Sequence, residues 1–152
     1  METHQILSHH PLQSFIPDSS EPLILKEETQ KFPLASEHLK VEQVMDCQMR
    51  LFISTQDKNG HPVDYKTYVK LFTEWITKTC GGCTHKHFLG FYENEAKTIL
   101  QETVYEIEVW MTKQKMLQIA TQIEQFICRL IQDLNQEVIL VIINNTATLL
   151  RL

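Results

Sequence analysis

The sequence predicts an α+β sandwich, in which four antiparallel strands form one sheet and two helices pack on one of its faces. Three observations predict it. Apolar residues recur at three- and four-residue spacing over residues 64–80 and again over 112–134, as one buried face of a helix requires. Short runs rich in β-branched and aromatic residues lie before, between and after those stretches. The two middle runs are joined by a tight polar turn, so the order is strand, helix, strand, strand, helix, strand.

The chain has 152 residues, enough for one domain with a proper core. Its 43% hydrophobic and 22% charged content is that of a folded protein and not of a disordered one. The net charge of −5, with basic residues scattered, leaves no electrostatic footprint for a nucleic-acid backbone or an anionic membrane. No apolar run approaches the roughly 20 residues of a membrane-spanning helix; the longest is Val138 to Ile143. The N-terminus has neither the basic nor the apolar segment of a signal peptide. A cytoplasmic location is therefore expected, with Cys47, Cys80, Cys83 and Cys128 as reduced thiols.

Residues 1–46 read as a flexible or arm-like segment. They hold four of the five prolines and the turn-prone Asp18-Ser19-Ser20. Leu23-Ile24-Leu25 suits a short extended piece, and Ser36 can cap a short helix through Met45. The apolar Leu23, Ile24, Leu25, Phe32 and Leu34 suit an arm docked on a neighbouring subunit.

The domain proper spans residues 47–152. Met49 to Ser54 is the first strand, ended by the turn Asp57-Lys58-Asn59-Gly60. Asp64 then caps a helix whose buried face is Tyr65, Tyr68, Val69, Phe72, Trp75 and Ile76, stopped by Gly81-Gly82. A hairpin follows, with arms Cys80–Tyr92 and Thr98–Trp110 and its turn at Glu93-Asn94-Glu95-Ala96. Glu102, Glu106 and Glu108 share one parity of its second arm, together with Leu100, Val104 and Trp110. That mixture predicts a bulge near Glu102 to Val104. Thr112 caps a second helix with the buried stripe Met116, Ala120, Ile123, Ile127, Leu130, Ile131 and Leu134, its glutamines facing water. Glu137 to Ile143 is a near-continuous apolar strand, buried on both faces or central in a sheet. Asn144-Asn145 break it, and Thr148 to Leu152 extend it or form a terminal arm.

This βαββαβ order is that of the ferredoxin-like sandwich. The bare face of such a sheet commonly becomes an interface, for which Phe88, Phe91 and Trp110 are available. A homo-oligomer, most simply a dimer, is expected, with a protein partner and without nucleic acid or membrane.

Several short features are similar to a known pattern. They are Leu51-Phe52, Gly60 and Val63 before the first helix, Gly82 and Thr84 opening the second strand, Gly90-Phe91-Tyr92 closing it, and Glu102 early in the third. They resemble a small bacterial family known as a domain of unknown function, with a compact α/β fold of about a hundred residues. The resemblance covers residues 47–152 and implies a similar fold, with no activity attached. Many members of that family look exported, whereas this chain is not expected to be.

Two clusters carry potential chemistry. Cys80-x-x-Cys83-x-His85-x-His87 offers the sulfur and imidazole ligands that zinc prefers. On a strand, Cys83, His85 and His87 project from one face, but same-face neighbours lie roughly 6.5–7 Å apart and converge poorly on one ion. The Cys-Gly-Gly-Cys also suggests redox chemistry, yet it follows a helix and lacks the N-terminal dipole that would activate a thiol. The simplest reading makes both cysteines small apolar plugs and both histidines surface residues. The second cluster is His85, His87 and Glu102, candidate acid/base groups across the hairpin; its simpler reading is a charged outer sheet face. No nucleophile elbow, phosphate loop, zincin pair or dinucleotide fingerprint occurs.

The expected function is a small cytosolic oligomeric binding or regulatory module, acting through its sheet face and N-terminal arm. The alternatives are a small enzyme of the dimeric α/β-barrel kind using His85, His87 and Glu102, or a metal-binding protein using Cys80, Cys83, His85 and His87. A concave apolar pocket holding a perturbed His or Glu favours the enzyme. A flat apolar face covered by a partner favours the module.

Overall fold

A computed structural model of the chain describes residues 38–152. The predicted extended piece at Leu23-Ile24-Leu25, the docking arm and the Ser36 cap lie outside the described residues. The part of the predicted short helix that is described, 38–45, has no regular structure.

Glu42–Leu152 form one compact unit. Its elements run β1 (Cys47–Ser54), α1 (Tyr65–Cys80), β2 (Thr84–Glu93), β3 (Ile99–Met111), α2 (Lys113–Asp133), β4 (Ile139–Ile143) and β5 (Thr146–Leu150). They build an α+β fold with one antiparallel sheet in the order β2-β3-β1-β4-β5. The expected four strands are thus five. Asn144-Asn145 do not end the sheet but turn it, because Asn144 adopts φ 53°, a left-handed conformation that asparagine tolerates. Asn144 also donates its amide to Gln48 O (2.7 Å) and accepts the Gln48 amide on Oδ1 (2.9 Å). This pins the turn to β1, and Thr146–Leu150 fold back beside β4.

Both helices begin at the predicted caps. Asp64 accepts the Thr67 amide (3.4 Å) and hydroxyl (2.8 Å), and Thr112 Oγ1 accepts the Lys115 amide (3.1 Å). Gly81 closes α1 at φ 91°, where a side chain would be strained, and donates to Thr77 O (2.8 Å). Among the described residues no helix is long and apolar enough to cross a membrane.

The core lies between the helices and one face of the sheet. Met49, Leu51 and Ile53 of β1 and Ile107, Val109 and Met111 of β3 point into it. Phe72 and Ile76 of α1 and Ile123, Ile127 and Leu130 of α2 meet them there. One expected core position moves: Ile119 is buried and Ala120 is exposed. The stripe is centred on Ile123, Ile127 and Leu130, so the residue one turn before Ile123 faces inward. The outward parity of β1, which is Gln48, Arg50 and Phe52, is only half-buried. Among the described residues no helix covers the opposite sheet face.

Leu51, fully buried on the central strand, tests this packing. Leu51→Ala is expected to lower unfolding free energy by about 2–5 kcal/mol in urea denaturation. Ala120→Ser should change it by less than about 0.5 kcal/mol, whereas a large loss at Ala120 would contradict the orientation of α2.

Candidate functional site

The register of β3 decides which side chains share a face. β3 pairs with β2 without interruption from Thr84↔Glu108 to Glu93↔Ile99, and with β1 from Cys47↔Met111 to Ser54↔Val104. The predicted bulge near Glu102 to Val104 is absent. Leu100 and Val104 share the acidic face because that face is partly apolar, not because the strand is kinked. Glu102, Glu106 and Glu108 therefore do share one face, as their parity predicts.

The histidines lie on the other. His85 pairs with Ile107 and His87 with Tyr105, residues of the helix-side parity. His87 stacks on Tyr105 (ring centroids 3.9 Å), and His85 Nε2 lies 2.8 Å from Thr73 Oγ1 of α1. The predicted acid/base cluster of His85, His87 and Glu102 is thus divided by the sheet itself. The cysteine–histidine cluster is also only partly assembled. Cys83 Sγ lies 3.9 Å from His85 Nε2, but Cys80 packs against the core at the end of α1 and His87 is turned to Tyr105. Among the described residues no group of three or more His, Cys, Asp or Glu side chains is placed to hold a metal ion.

The three glutamates differ in their partners. Glu106 is buried between Arg50 (3.8 Å) and Lys86 (3.6 Å). Glu108 is pushed up by burial, but hydrogen bonds from Lys86 (3.2 Å) and Trp110 (3.2 Å) outweigh this and hold its carboxyl below the usual range. Glu102 has no ion pair among the described residues; its contact is a hydrogen bond with the Ser54 hydroxyl. Burial raises its pKa above the ordinary carboxylate value, against the smaller lowering effect of Ser54. The bond survives either protonation state. An ionised Glu102 accepts the Ser54 proton; a neutral one donates to Ser54 Oγ, leaving the hydroxyl to donate to Gln56 O at 2.7 Å.

Glu102 faces a recess of about 340 Å³ on the open side of the sheet. Phe52, Phe88, Tyr92, Val104 and Leu140 supply its apolar walls, Ser54, Glu102, Gln136 and Glu137 its polar points, and among the described residues no Lys or Arg lines it. The recess exists because the β2–β3 hairpin is longer than β1. Beyond Thr55, whose amide still bonds to Thr103 O (3.2 Å), the hairpin has no β1 partner. Its tip instead reaches the far edge, where Glu95 Oε1 meets Arg151 Nη1 (3.2 Å) just after β5. Four strand spacings would span about 19 Å in a flat sheet, so this ion pair requires the open face to be concave. Tyr92 shares the acidity of the recess: burial first, then Glu137 and Glu102, raise its phenol pKa. Sequence reasoning singled out Glu102 but missed Ser54, Tyr92 and Glu137. Their convergence depends on cross-strand register and on the overhang, neither of which leaves a local motif.

No protein-family model and no curated protein sequence matches this chain. Solved structures do. A phage SAM lyase in complex with S-methyl-5′-thioadenosine aligns at a TM-score of 0.55 and 15% identity, over 74% of this chain and 97% of that one. The same class of phage enzyme without ligand aligns at 0.55 and 15%, over 75% and 95%. This likeness is one of fold.

The raised pKa of Glu102 makes a prediction about stability. A carboxyl whose pKa is higher folded than unfolded contributes stability that is complete at low pH and is lost as pH rises through the folded value. Glu102→Gln, neutral at every pH, should melt above the wild type at pH 7–8. The difference should close as pH falls below the ordinary glutamate value of about 4.3. A gap that widened toward acid pH would contradict the assignment.

Proposed function

We propose that the open-face recess is a ligand site for a small organic cation with an apolar or aromatic body, S-adenosylmethionine being the first candidate. One observation carries this reading: Glu102 is a half-buried carboxyl that, among the described residues, has a hydroxyl partner but no ion pair, in an apolar recess that no described Lys or Arg lines. Such a site gains most from a ligand that brings its own positive charge, since attraction in a water-poor recess is weakly screened. The rings of Phe52, Phe88 and Tyr92 offer faces for a purine or for the cation itself. The fold similarity to a SAM lyase is compatible with a sulfonium as that cation and with Glu102 as the acid/base group of a small enzyme. In this reading β2-β3-β1-β4 is a ferredoxin-like core to which β5 adds an edge, in keeping with the family resemblance of residues 47–152.

A second reading keeps the protein as a cytoplasmic homo-oligomeric interaction module, using its sheet face and residues 1–46. The exposed Phe88, Trp110 and Leu149 favour it, at 43%, 45% and 67% accessibility.

Calorimetric titration with S-adenosylmethionine and with the uncharged S-methyl-5′-thioadenosine separates these readings. The cation should bind the wild type, and Glu102→Gln should weaken it about tenfold, equivalent to 1.4 kcal/mol, with a smaller effect on the neutral thioether. Mass spectrometry of the reaction mixture then reads turnover: S-methyl-5′-thioadenosine accumulating from S-adenosylmethionine makes the protein an enzyme. Binding without product makes it a binding protein. Absence of binding removes this ligand and leaves the interaction module.

A further inference from the structure

On the helix side of β2 a different chemistry is assembled, and neither the recess nor the fold requires it. Cys83 immediately precedes the edge strand and His85 is that strand's second residue, and contacts with Thr77 and Thr73 show both side chains turned toward α1. Cys83 Sγ lies 3.9 Å from His85 Nε2, within reach of a sulfur hydrogen bond, and 3.5 Å from Thr77 Oγ1. The same Nε2 lies 2.8 Å from Thr73 Oγ1. Thr73 and Thr77 are one helical turn apart and face the strand together, bracketing the imidazole and the thiol.

We infer that Cys83 and His85 form a thiol–imidazole pair that makes Cys83 the nucleophilic thiol of this chain, open to modification by soft carbon electrophiles. The other three cysteines lack this setting. Cys47 is 3% exposed, and burial raises its thiol pKa. Cys80 packs against the core as Cys83 does, but burial raises its thiol pKa and no histidine nitrogen lies within hydrogen-bond reach of its sulfur among the described residues. Cys128 is half-buried on α2. Among the described residues only Cys83 has a histidine nitrogen within hydrogen-bond reach of its sulfur. His85 also borders a concavity of about 370 Å³. Lys66, Lys70 and Glu74 from α1 give that concavity charge of both signs, with Lys70 and Glu74 3.9 Å apart, and Tyr65 and Tyr105 give it apolar walls that can hold an electrophile's body beside His85.

With a haloacetamide the step is a simple displacement. The thiol proton passes to His85 Nε2, the sulfur forms a bond to carbon, and the carbon–halogen bond breaks to release halide. Thr77, donating to the sulfur, would steady the negative charge that forms there. The inference does not depend on the ligand proposed for the open face, which lies across the sheet.

The test uses the full chain, reduced, at pH 7.5, with sub-stoichiometric iodoacetamide and peptide mass spectrometry to follow each cysteine separately. Cys83 should alkylate fastest of the four. His85→Gln should slow Cys83 about tenfold and leave Cys128 unchanged, with melting temperature and circular dichroism as checks on folding. The ranking of the four thiols in the wild type stands even if that variant folds poorly. Cys128 reacting as fast as Cys83, or a Cys83 rate indifferent to His85 in a folded variant, would overturn the inference.

Discussion

The uninterrupted pairing of β3 with two neighbours at once fixes everything else in this protein. β3 is 13 residues long, and a strand alternates its side chains strictly, so a single inserted residue would exchange the two faces beyond it. Ile107, Val109 and Met111 can fill the core only in the register that sends Glu106 and Glu108 the other way. The same register puts Val104 between Ser54 and Phe88, and Glu102 opposite Gly90. Core and recess are two consequences of one alignment. Burial of Ile107, Val109 and Met111 is what enforces it, since a one-residue slip would bring the carboxylates of Glu106 and Glu108 under the helices.

The mismatch in strand length then shapes the open face. β1 stops at Ser54 while the hairpin continues, so the hairpin's outer half is free to follow the right-handed twist of the sheet. Gly90 keeps that half close: a Cβ there would come within 3.0 Å of Val104 Cγ2, tighter than ordinary contact. The Glu95–Arg151 pair joins the hairpin tip to the other edge. As an exposed ion pair it adds little stability by itself; the strand lengths and twist produce the concavity, and the pair marks it.

How much of this was legible in the sequence follows from the range of each interaction. Both helices, their Asp64 and Thr112 caps and the hairpin turn are local, and periodicity and capping chemistry reveal them directly. The fifth strand was half visible: Thr148 to Leu152 read as an extension of β4 or a terminal arm, but whether Asn144-Asn145 end a strand or turn it depends on the bonds of Asn144 to Gln48, 96 residues away. The bulge was inferred from apolar residues sharing a parity with acids, which assumes an outer face wetted throughout. Here that face holds an apolar recess at one end and a charged cluster at the other. The proposed union of His85, His87 and Glu102 failed on parity across the hairpin. His85 opposite Ile107 and Glu102 opposite Gly90 differ by an odd count, and only the register shows it.

Glu102, Glu106 and Glu108 are alike in the sequence and unlike in the fold. Arg50 and Lys86 meet Glu106, and Lys86 with Trp110 meets Glu108. Those two acids belong to a network that largely settles its own charge. Glu102 has a hydroxyl where the others have cations, and burial works against its ionised form. The register requires only that some side chain project there, and an apolar one would suit walls made of Phe52, Phe88 and Val104 better. An ionisable group at that position costs the folded protein stability at neutral pH, a cost that the proposed cationic ligand would offset on binding. Of the three acids Glu102 alone has no cation beside it among the described residues, and a positive charge is what the proposed ligand would bring.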